Sequence, residues 1–433
     1  MTRPLGRLVK RPYSRYMWSK EPTMDSTTSS TLPASSSTPS RVISTEECYI
    51  NRLPVELLAA ILEEHSVQEE WAPLIASQVC RRWRETTQLW PRVWSYITVR
   101  SINERLITFT NRVKTFLERS RDSPLHIEYF SWVAKPSTVI FQLPTIIRIQ
   151  NLILEGPLPD AVWMENGMPN LRSLELRQCD WRRTMFQLGA EKFPLLDEFV
   201  ARGMWSIPSM VMGSPALLRT LSFSYIRHME WVNILSECRE TLVEVLLHRC
   251  GLPPPTQIHL PKLRFLALSN MLDFRSDIVA PGLTTFHERH DRLDSLKLPF
   301  NFSSITEYAC QGGFPSVDDE PFSEGRVLAN LERLALWGTW RGIRGVMWKL
   351  VSYPKAVPKL SAIELAAEDG DDLDDVQWAE LENLFANTPL SSTLKRRTDS
   401  RASYVPLRFS LVRGSPWRRG SYSDASARPV GVS

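Results

Sequence analysis

Ahead of a long leucine-patterned region, the apolar residues of the chain predict a small helical module. In the segment LPVELLAAIL, four residues form one stripe at helical spacing: Leu57, Leu58, Ile61 and Leu62. Pro54 precedes them and suits a first helical position, where no backbone donor is needed. The stripe therefore predicts an amphipathic helix at the front of the module.

A second helix is predicted to begin at Pro73, because Ile75, Val79 and Trp83 recur every four residues. A third apolar cluster follows in LWPRVW, where Pro91 interrupts it. A segment this short has too little interior for so many large apolar groups. Some of them must be covered by the rest of the chain or by another protein. A three-helix piece of an ordinary core fits the same periodicity equally well.

The motifs LPxELLxxIL, VCRRWR and LW, in that order, resemble the F-box, the module that docks onto the Skp-type adaptor of cullin–RING ubiquitin ligases. The resemblance covers residues 49–97, although the connection EEHSVQEEWAPLI is longer and more polar than in many F-boxes. It implies a docking surface, with its support, formed by Leu53, Pro54, Leu57, Ile61, Val79, Cys80, Trp83 and Trp90. The sequence leaves open which of these touch the adaptor and which pack inward.

From about residue 149 onwards, an apolar–x–x–apolar–x–apolar motif recurs, first from Ile149 and last from Leu360. A period in the twenties is typical of leucine-rich repeats, in which each turn gives one strand and one return segment. Three copies carry Cys179, Cys250 or Asn301 where these repeats place Asn or Cys, and such side chains would satisfy buried backbone groups of the next turn. The order of F-box and repeat resembles the F-box/leucine-rich-repeat proteins.

The predicted fold class is α/β, with an N-terminal three-helix F-box, an irregular leucine-rich-repeat solenoid and disordered termini. The interval 298–331 is predicted to be a loop leaving the solenoid. The predicted domains are a disordered basic and Ser/Thr/Pro-rich lead (1–48), the F-box (49–97), a linking helix (98–122), the repeat domain (123–387) and a basic, mostly disordered tail (388–433).

In a solenoid of this kind, apolar strand positions point into the core and the residues between them line the concave surface. That row is mixed in charge and mostly lacks large anchors. The candidate substrate-binding residues on it are Arg177, His248, Phe265, Arg333 and Trp337. Trp337 would anchor a partner, as exposed Trp often does, or pack against Trp340. Both interpretations stay open.

Charge and cysteine content narrow the functional classes. The formal charge is +4, but residues 1–20 carry +6 and residues 395–433 carry +7, which leaves −9 for the rest. That acidic remainder gives no support for nucleic-acid binding. Six cysteines without a CxxC pair fit a reducing compartment, and no stretch approaches the roughly 18 apolar residues of a membrane helix. HERH at 287–290 lacks the HExxH spacing of a metalloprotease, so no metal or cofactor is expected.

The resemblance implies a substrate-recognition subunit of a Skp–cullin–F-box ubiquitin ligase. Its partners would be the Skp-type adaptor, the cullin–RING ligase reached through it, and an unknown protein substrate. The resemblance also implies a non-catalytic protein of the cytoplasm or nucleus. A non-degradative leucine-rich-repeat scaffold is the alternative. Residues 1–23 are either a disordered lead or a transit-like segment, or are absent if translation starts at Met24.

Overall fold

The computed structural model describes residues 49–100, 106–130, 140–156, 167–179, 189–203, 217–226, 231–251, 257–271, 277–290, 304–312, 328–367, 373–386, 388 and 390. The chain divides into two compact units, Met1–Arg52 and Leu53–Ser433. Of the first unit, the structure describes the 3-10 turn Tyr49–Arg52; every other element belongs to the second. The predicted disordered lead and almost all of the predicted tail lie outside the described residues.

The described part of the chain alternates short strands with helices and irregular return segments. Its helices are α1 Val55–Gln68, α2 Ala72–Val79, α3 Arg81–Leu89, α4 Leu106–Arg119, α5 Leu143–Ile146, α6 Trp231–Glu237, α7 Trp340–Ser352 and α8 Asp375–Phe385, with 3-10 turns at Pro91–Trp94 and Pro354–Ala356. Its strands are β1 Tyr96–Arg100, β2 Leu125–Phe130, β3 Ile149–Glu155, β4 Ser173–Arg177, β5 Glu198–Arg202, β6 Thr220–Ser224, β7 Glu244–His248, β8 Gln257–His259, β9 Phe265–Ser269, β10 Asp277–Val279, β11 Thr285–His290, β12 Glu307–Gly312, β13 Arg333–Gly338 and β14 Ala362–Ala367.

Twelve of the strands form one parallel sheet. Its order is β1-β2-β3-β4-β5-β6-β7-β9-β11-β12-β13-β14, so each strand pairs with the next one along the chain except where β8 and β10 intervene. Those two strands pair with each other in a separate parallel sheet on the return segments. The protein is therefore a mixed helix and strand fold with a parallel, solenoid-like sheet. This architecture is compatible with the predicted repeat.

The recurring apolar motif forms the core. In β4, Leu174 and Leu176 are buried, and Leu171 just before the strand is buried as well. In register they lie beside Leu152 and Leu154 of β3. The apolar side chains of each strand are buried, so they must pack against those of the strands on both sides. Each turn therefore completes the core of the turn before it.

Left-handed residues end four of the strands. Gln178, Tyr225, Arg249 and Asn270 have φ values of 48°, 57°, 48° and 52°. Each donates its N–H to a carbonyl of the next strand in the sheet, as Arg249 does to Ser269 at 2.8 Å. The ladder thus gains one bond per turn, which offsets the cost of about 1–2 kcal/mol for positive φ in a residue with a Cβ. Gln, Tyr and Arg have no preference for this conformation, so the identities of these three residues did not predict it.

The two repeat cysteines within the described residues act as buried donors. The Sγ of Cys179 lies 3.5 Å from the carbonyl of Leu154, and that of Cys250 lies 3.5 Å from the carbonyl of Phe223. Burial raises the pKa of both thiols to about 12, so they stay protonated and can donate. The acceptors belong to the preceding turn and not, as predicted, to the next one. Asn301 lies outside the described residues.

One stretch of the sheet differs from the predicted repeat. The prediction of a loop over 298–331 is wrong for residues 307–312, which form β12 between β11 and β13. The leucine pattern does not reveal β12 because Tyr308 and Cys310 occupy its core positions, and Cys310 pairs with the buried Glu288 of β11. The hydroxyl of Tyr308 donates to its carboxylate. Burial and that carboxylate raise the pKa of Tyr308 well above its ordinary value.

The predicted second helix is also divided in the structure. Cys80 is extended, with φ −156° and ψ 172°, so α2 ends at Val79 and α3 begins at Arg81. Trp83 therefore belongs to the third helix and not to the second. The apolar spacing continues across the break, which is why periodicity alone did not reveal it.

A buried tryptophan joins these helices to the sheet. The indole of Trp94 donates to the carbonyl of Thr87 in α3 at 2.7 Å. Phe116 of α4 contacts its ring edge-on at a centroid distance of 5.3 Å. The guanidinium of Arg119 lies 4.4 Å from the ring centroid. Trp94 lies two residues before β1, so its contacts link α3 and α4 near the start of the sheet.

Two glycines provide a test of this backbone. Gly167 has φ +69°, and an added Cβ would lie 2.7 Å from the carbonyl oxygen of Lys192. Gly167→Ala is expected to lower the free energy of unfolding by about 2 kcal/mol, from positive φ and backbone displacement together. Gly345 in α7 has open space around its Cβ position, so Gly345→Ala is expected to stabilise by about 0.5–1 kcal/mol. Urea denaturation measures both; equal effects would contradict the backbone described.

Candidate partner-binding surfaces

The helices α1, α2 and α3 form a small helical head. Its interior includes Leu58 and Leu62 of α1, which are 0% and 2% exposed. Two hydrogen bonds hold the helices together: an Nη of Arg82 donates to the carbonyl of Leu53, and Nε of Arg84 donates to that of Ser77 at 2.9 Å. The α3 arginines therefore fix how α1 and α2 are placed.

This packing leaves large apolar side chains exposed on the head. Of the fourteen exposed large hydrophobic residues in the described part of the chain, six lie between residues 55 and 89. We call them the exposed apolar set, and they are Val55, Leu57, Ile61, Ile75, Val79 and Leu89. Leu57 and Ile61 lie one turn apart on α1, and Ile75 and Val79 lie one turn apart on α2. Each pair therefore presents one helix face to solvent.

The structure divides the eight predicted docking residues into two groups. Pro54, Leu57, Ile61 and Val79 are exposed, whereas Leu53, Cys80, Trp83 and Trp90 are half-buried. Trp83 and Trp90 pack against the core. Pro54 precedes α1 as its N-cap residue instead of standing at the first helical position.

Three exposed residues of the head were not among the predicted docking residues. Ile75 and Val55 lie at positions that the F-box motifs do not specify, and Leu89 belongs to the LW motif, of which only Trp90 was predicted to dock. Ile75 is 53% exposed and Leu89 is 68% exposed. The helical spacing of Ile75 and Val79 was the sequence signal that could have placed Ile75 on the same surface as Val79. Exposed apolar groups concentrated in one small module are typical of a protein-docking surface. Full burial of one such side chain contributes roughly 1.5–3 kcal/mol.

The open face of the large sheet is the second candidate surface. It carries the strand residues that alternate with the core positions, in three rows that follow the register of the sheet. On β4, Ser173 belongs to the amino-end row, Glu175 to the middle row and Arg177 to the carboxyl-end row. The substrate-binding candidates occupy two rows: Phe265 and Arg333 lie at the amino ends of their strands, and Arg177, His248 and Trp337 at the carboxyl ends.

The middle row is buried, whereas the alternation of the strands predicted that it would line the open surface. Glu175 is 3% exposed, Ser222 and Leu246 are 6% exposed, and Ala267 is 0% exposed. Neighbouring strands lie about 4.8 Å apart, so each middle side chain is crowded by two neighbouring strands and by both flanking residues of its own strand. A partner can therefore reach the two outer rows more readily than the middle one.

Arg177 is the centre of an ion cluster. Its guanidinium contacts Glu175 at 2.9 Å, Glu128 at 3.1 Å and Glu155 at 3.9 Å, and its side chain is 15% exposed. Arg202 contacts Glu175 at 3.0 Å. Burial alone would lower the pKa of Arg177, but the three carboxylates together raise it above its ordinary value. Arg177 therefore balances buried acids, a role that sequence spacing did not indicate.

A neighbouring carboxyl keeps its proton to a higher pH than usual. Burial raises the pKa of Glu198 to about 7, and the nearby Glu175, Asp197 and Glu244 act in the same direction. The hydroxyl of Ser173 donates to Glu198 at 2.8 Å and partly opposes that shift. The strands β4 to β7 thus bring together acids that are far apart in sequence.

The remaining substrate-binding candidates have partners of their own on the open face. His248 Nδ1 lies 2.7 Å from the hydroxyl of Ser269. The ring of Phe265 contacts that of His287 at a centroid distance of 5.0 Å. Arg333 is 3.1 Å from Glu364. The half-buried Trp337 pairs in register with Gln311 and Ala366, while Trp340 packs against the core.

The described residues form neither a metal-binding cluster nor a membrane-spanning helix. Within the described ranges, no three His, Cys, Asp or Glu side chains come together as a metal site would require. His287 and Glu288 of the HERH segment are consecutive residues of β11, so their side chains point to opposite faces of the sheet. Among the described helices, none is both long and apolar enough to cross a membrane.

Glu198 gives a pH prediction. In the folded chain it holds its proton up to about pH 7, against an ordinary value of 4.5, so the folded state binds more protons between these limits. The free energy of unfolding should therefore fall as pH rises from about 4.5 to about 7. Glu198→Gln should remove this contribution and stabilise the protein by about 1–2 kcal/mol at pH 8, after allowance for partial solvent exposure.

Chemical denaturation of Glu198→Gln and the unchanged chain at pH 4.5 and pH 8 measures that difference. The exposed Glu332 provides the control substitution Glu332→Gln, for which the two pH values should give the same difference. The same difference at both pH values for Glu198→Gln would contradict the raised pKa of Glu198.

Comparison with protein-family models and with curated proteins does not add to this picture. No protein-family model matches the chain, and no curated protein matches it either. The functional assignment therefore depends on the exposed apolar set of the head and on the open face of the solenoid-like sheet.

Proposed function

We propose that the chain is the substrate-recognition subunit of a Skp–cullin–F-box ubiquitin ligase. In this proposal, the helical head is an F-box that docks onto the Skp-type adaptor. The solenoid-like sheet is an irregular leucine-rich-repeat domain that binds a protein substrate. The protein itself makes and breaks no bonds, and it works in the cytoplasm or nucleus.

The exposed apolar set carries this proposal. Three of its members, Leu57, Ile61 and Val79, are among the residues that the F-box resemblance assigns to the docking surface or its support, and they are 54%, 48% and 57% exposed. Leu58, the neighbour of Leu57, is 0% exposed. The head thus has a buried apolar stripe, which packs inside the head, and an adjacent apolar stripe, which is exposed. A partner helix or groove would cover the second stripe.

The sheet supports the second half of the proposal. A solenoid-like sheet presents many side chains in fixed rows, which suits the binding of an extended protein surface. Joining such a surface to an adaptor-binding head would raise the local concentration of substrate lysines near the ubiquitin-loaded enzyme. The joint at Trp94, with its contacts to α3 and α4, favours a fixed geometry between the two parts.

A non-degradative scaffold would use the same sheet without the ligase. Both functions allow the open face to bind a protein, so substrate binding alone does not distinguish them. Adaptor binding through the exposed apolar set is specific to the ligase proposal.

Adaptor binding tests the proposal directly. The variant Leu57→Ser/Ile61→Ser should bind a purified Skp-type adaptor at least about 100-fold more weakly than the unchanged chain, because two large apolar side chains contribute roughly 3–6 kcal/mol when buried. Isothermal titration calorimetry measures the affinity. Circular dichroism and the melting temperature should be nearly unchanged, because both residues are exposed.

The matched control is Leu143→Ser/Leu217→Ser, which removes two leucines that are 62% and 60% exposed outside the head. This variant should bind the adaptor as the unchanged chain does. Full adaptor affinity in the Leu57→Ser/Ile61→Ser variant would refute the docking surface. Absence of binding by the unchanged chain would refute the ligase function.

A further inference from the structure

Two helical segments of the chain carry opposite charge. Residues 53–80, which include α1 and α2 of the head, contain five acidic residues and no lysine or arginine: Glu56, Glu63, Glu64, Glu69 and Glu70. Residues 338–363, which include α7, contain five basic residues and no acidic one: Arg341, Arg344, Lys349, Lys355 and Lys359. The head precedes β1, and α7 lies between β13 and β14 in the chain, so the segments belong to opposite ends of the strand order.

The basic segment presents aromatic side chains to solvent. Trp348 of α7 is 61% exposed, and Tyr353, which follows the helix, is 40% exposed. Arg341 lies two helical turns before Trp348 and therefore on the same face of α7. Gly345 lies between them on that face, and the space around its Cβ position is open. We call Arg341, Gly345, Trp348, Tyr353 and the exposed Lys355 the basic face. A large apolar side chain of a partner can lie beside the indole, close to the helix backbone.

Some cations of this segment already have partners within the chain. Arg344 lies 2.6 Å from Glu380 of α8, and Nζ of Lys359 donates to Asn330 at 2.7 Å. The charge that an approaching partner meets on the basic face therefore comes from Arg341 and Lys355, which are both exposed.

The head has a face of complementary composition. Leu57 and Ile61, which belong to the exposed apolar set, lie on the same side of α1 as the exposed Glu56 and Glu64. We call these four residues the acidic face. The arginines of α3 contact groups of the head itself, so they do not cancel the charge of α1.

We propose that the acidic face of one copy of the chain docks onto the basic face of a second copy. The leucine and isoleucine of α1 pack beside Trp348, and the glutamates that flank them meet the cations of the basic face. Within one chain both faces stay exposed, so the contact forms between copies. Because the two faces differ, the contact is head-to-tail and builds rings or open chains instead of a symmetric dimer. Residues 395–433 carry +7, so their charge opposes binding of that segment to the basic face.

Self-association goes beyond the proposed function and does not depend on it. The acidic face includes Leu57 and Ile61, which are also residues of the proposed adaptor-docking surface. A second copy and an adaptor therefore exclude each other at the head, a consequence that does rest on the proposed function. At high concentration the chain occludes its own docking surface.

Sedimentation velocity of the full chain tests the proposal. The sedimentation coefficient of the unchanged chain should rise between about 1 and 100 µM, a range typical of a small interface. Raising sodium chloride from roughly 0.1 to 1 M should weaken the association at least about tenfold, because the two faces attract by opposite charge. Trp348→Ser should weaken it at least about tenfold as well, with a nearly unchanged melting temperature because the side chain is exposed.

Charge reversal provides the sharpest test. The head-reversed variant Glu56→Lys/Glu64→Lys and the α7-reversed variant Arg341→Glu/Lys355→Glu should each associate at least about tenfold more weakly than the unchanged chain, since like charges then meet. An equimolar mixture of the two variants should associate again, because the acidic head of one variant meets the basic face of the other. Two misfolded variants could not restore association to each other.

The matched control is Arg172→Glu/Lys262→Glu, which reverses two exposed cations outside both faces and should associate as the unchanged chain does. A sedimentation coefficient of the unchanged chain that is independent of concentration, an equal loss in the control and the α7-reversed variant, or no association in the mixture would overturn the proposal. So would a monomeric chain that binds phosphatidylserine vesicles and loses that binding with Trp348→Ser, which would assign the basic face to an anionic lipid surface.

Titration with a purified Skp-type adaptor distinguishes this proposal from the ligase function. The α7-reversed variant should retain full adaptor affinity, and saturating adaptor should return the unchanged chain to one copy per complex. An adaptor-bound chain that still self-associates would overturn the placement of the contact on the acidic face. Failure of the adaptor to bind would refute the ligase function alone, and failure of the unchanged chain to self-associate would refute this proposal alone.

Discussion

Stacking of parallel strands in register is the constraint on which the rest of this structure depends. A single turn leaves its leucines uncovered, and the next turn covers them, as β4 does for β3 through Leu174 and Leu176. The left-handed strand ends and the buried thiols of Cys179 and Cys250 serve the same stacking, because each bonds to a neighbouring turn. Even a buried carboxylate is accommodated where a neighbour supplies its donor, as Tyr308 does for Glu288.

The same register determines what the open face offers to a partner. Charges from distant parts of the sequence become neighbours, so Arg177 of β4 balances Glu128 of β2 and Glu155 of β3. Arg202 of β5 joins the same cluster through its contact with Glu175 at 3.0 Å. The open face therefore contains a cluster in which arginines and buried carboxylates balance each other. The helical head differs in kind, since its available surface is apolar and comes from a stripe adjacent to the one that packs.

Much of the fold could be predicted from the sequence because its main signals are local. The apolar motif predicted strands that the structure has in the sheet, such as β3 and β14. The break at Cys80, the burial of the middle row and the partners of Arg177 could not be predicted. Each depends on contacts between residues that periodicity does not relate, such as Glu128 and Arg177, which are 49 positions apart. The exposed apolar set was only partly predicted, because exposure depends on how the helices pack.

The most direct test of the ligase account is affinity purification of the full chain from cells that express it, beside Leu57→Ser/Ile61→Ser, with identification of the co-purifying proteins and measurement of their lifetimes. The account predicts that the Skp-type adaptor and a cullin accompany the unchanged chain and are lost with the variant. It also predicts a protein retained by both forms whose lifetime lengthens when the variant replaces the unchanged chain. A retained partner with an unchanged lifetime, and no adaptor or cullin with either form, would contradict the account and favour a binding scaffold.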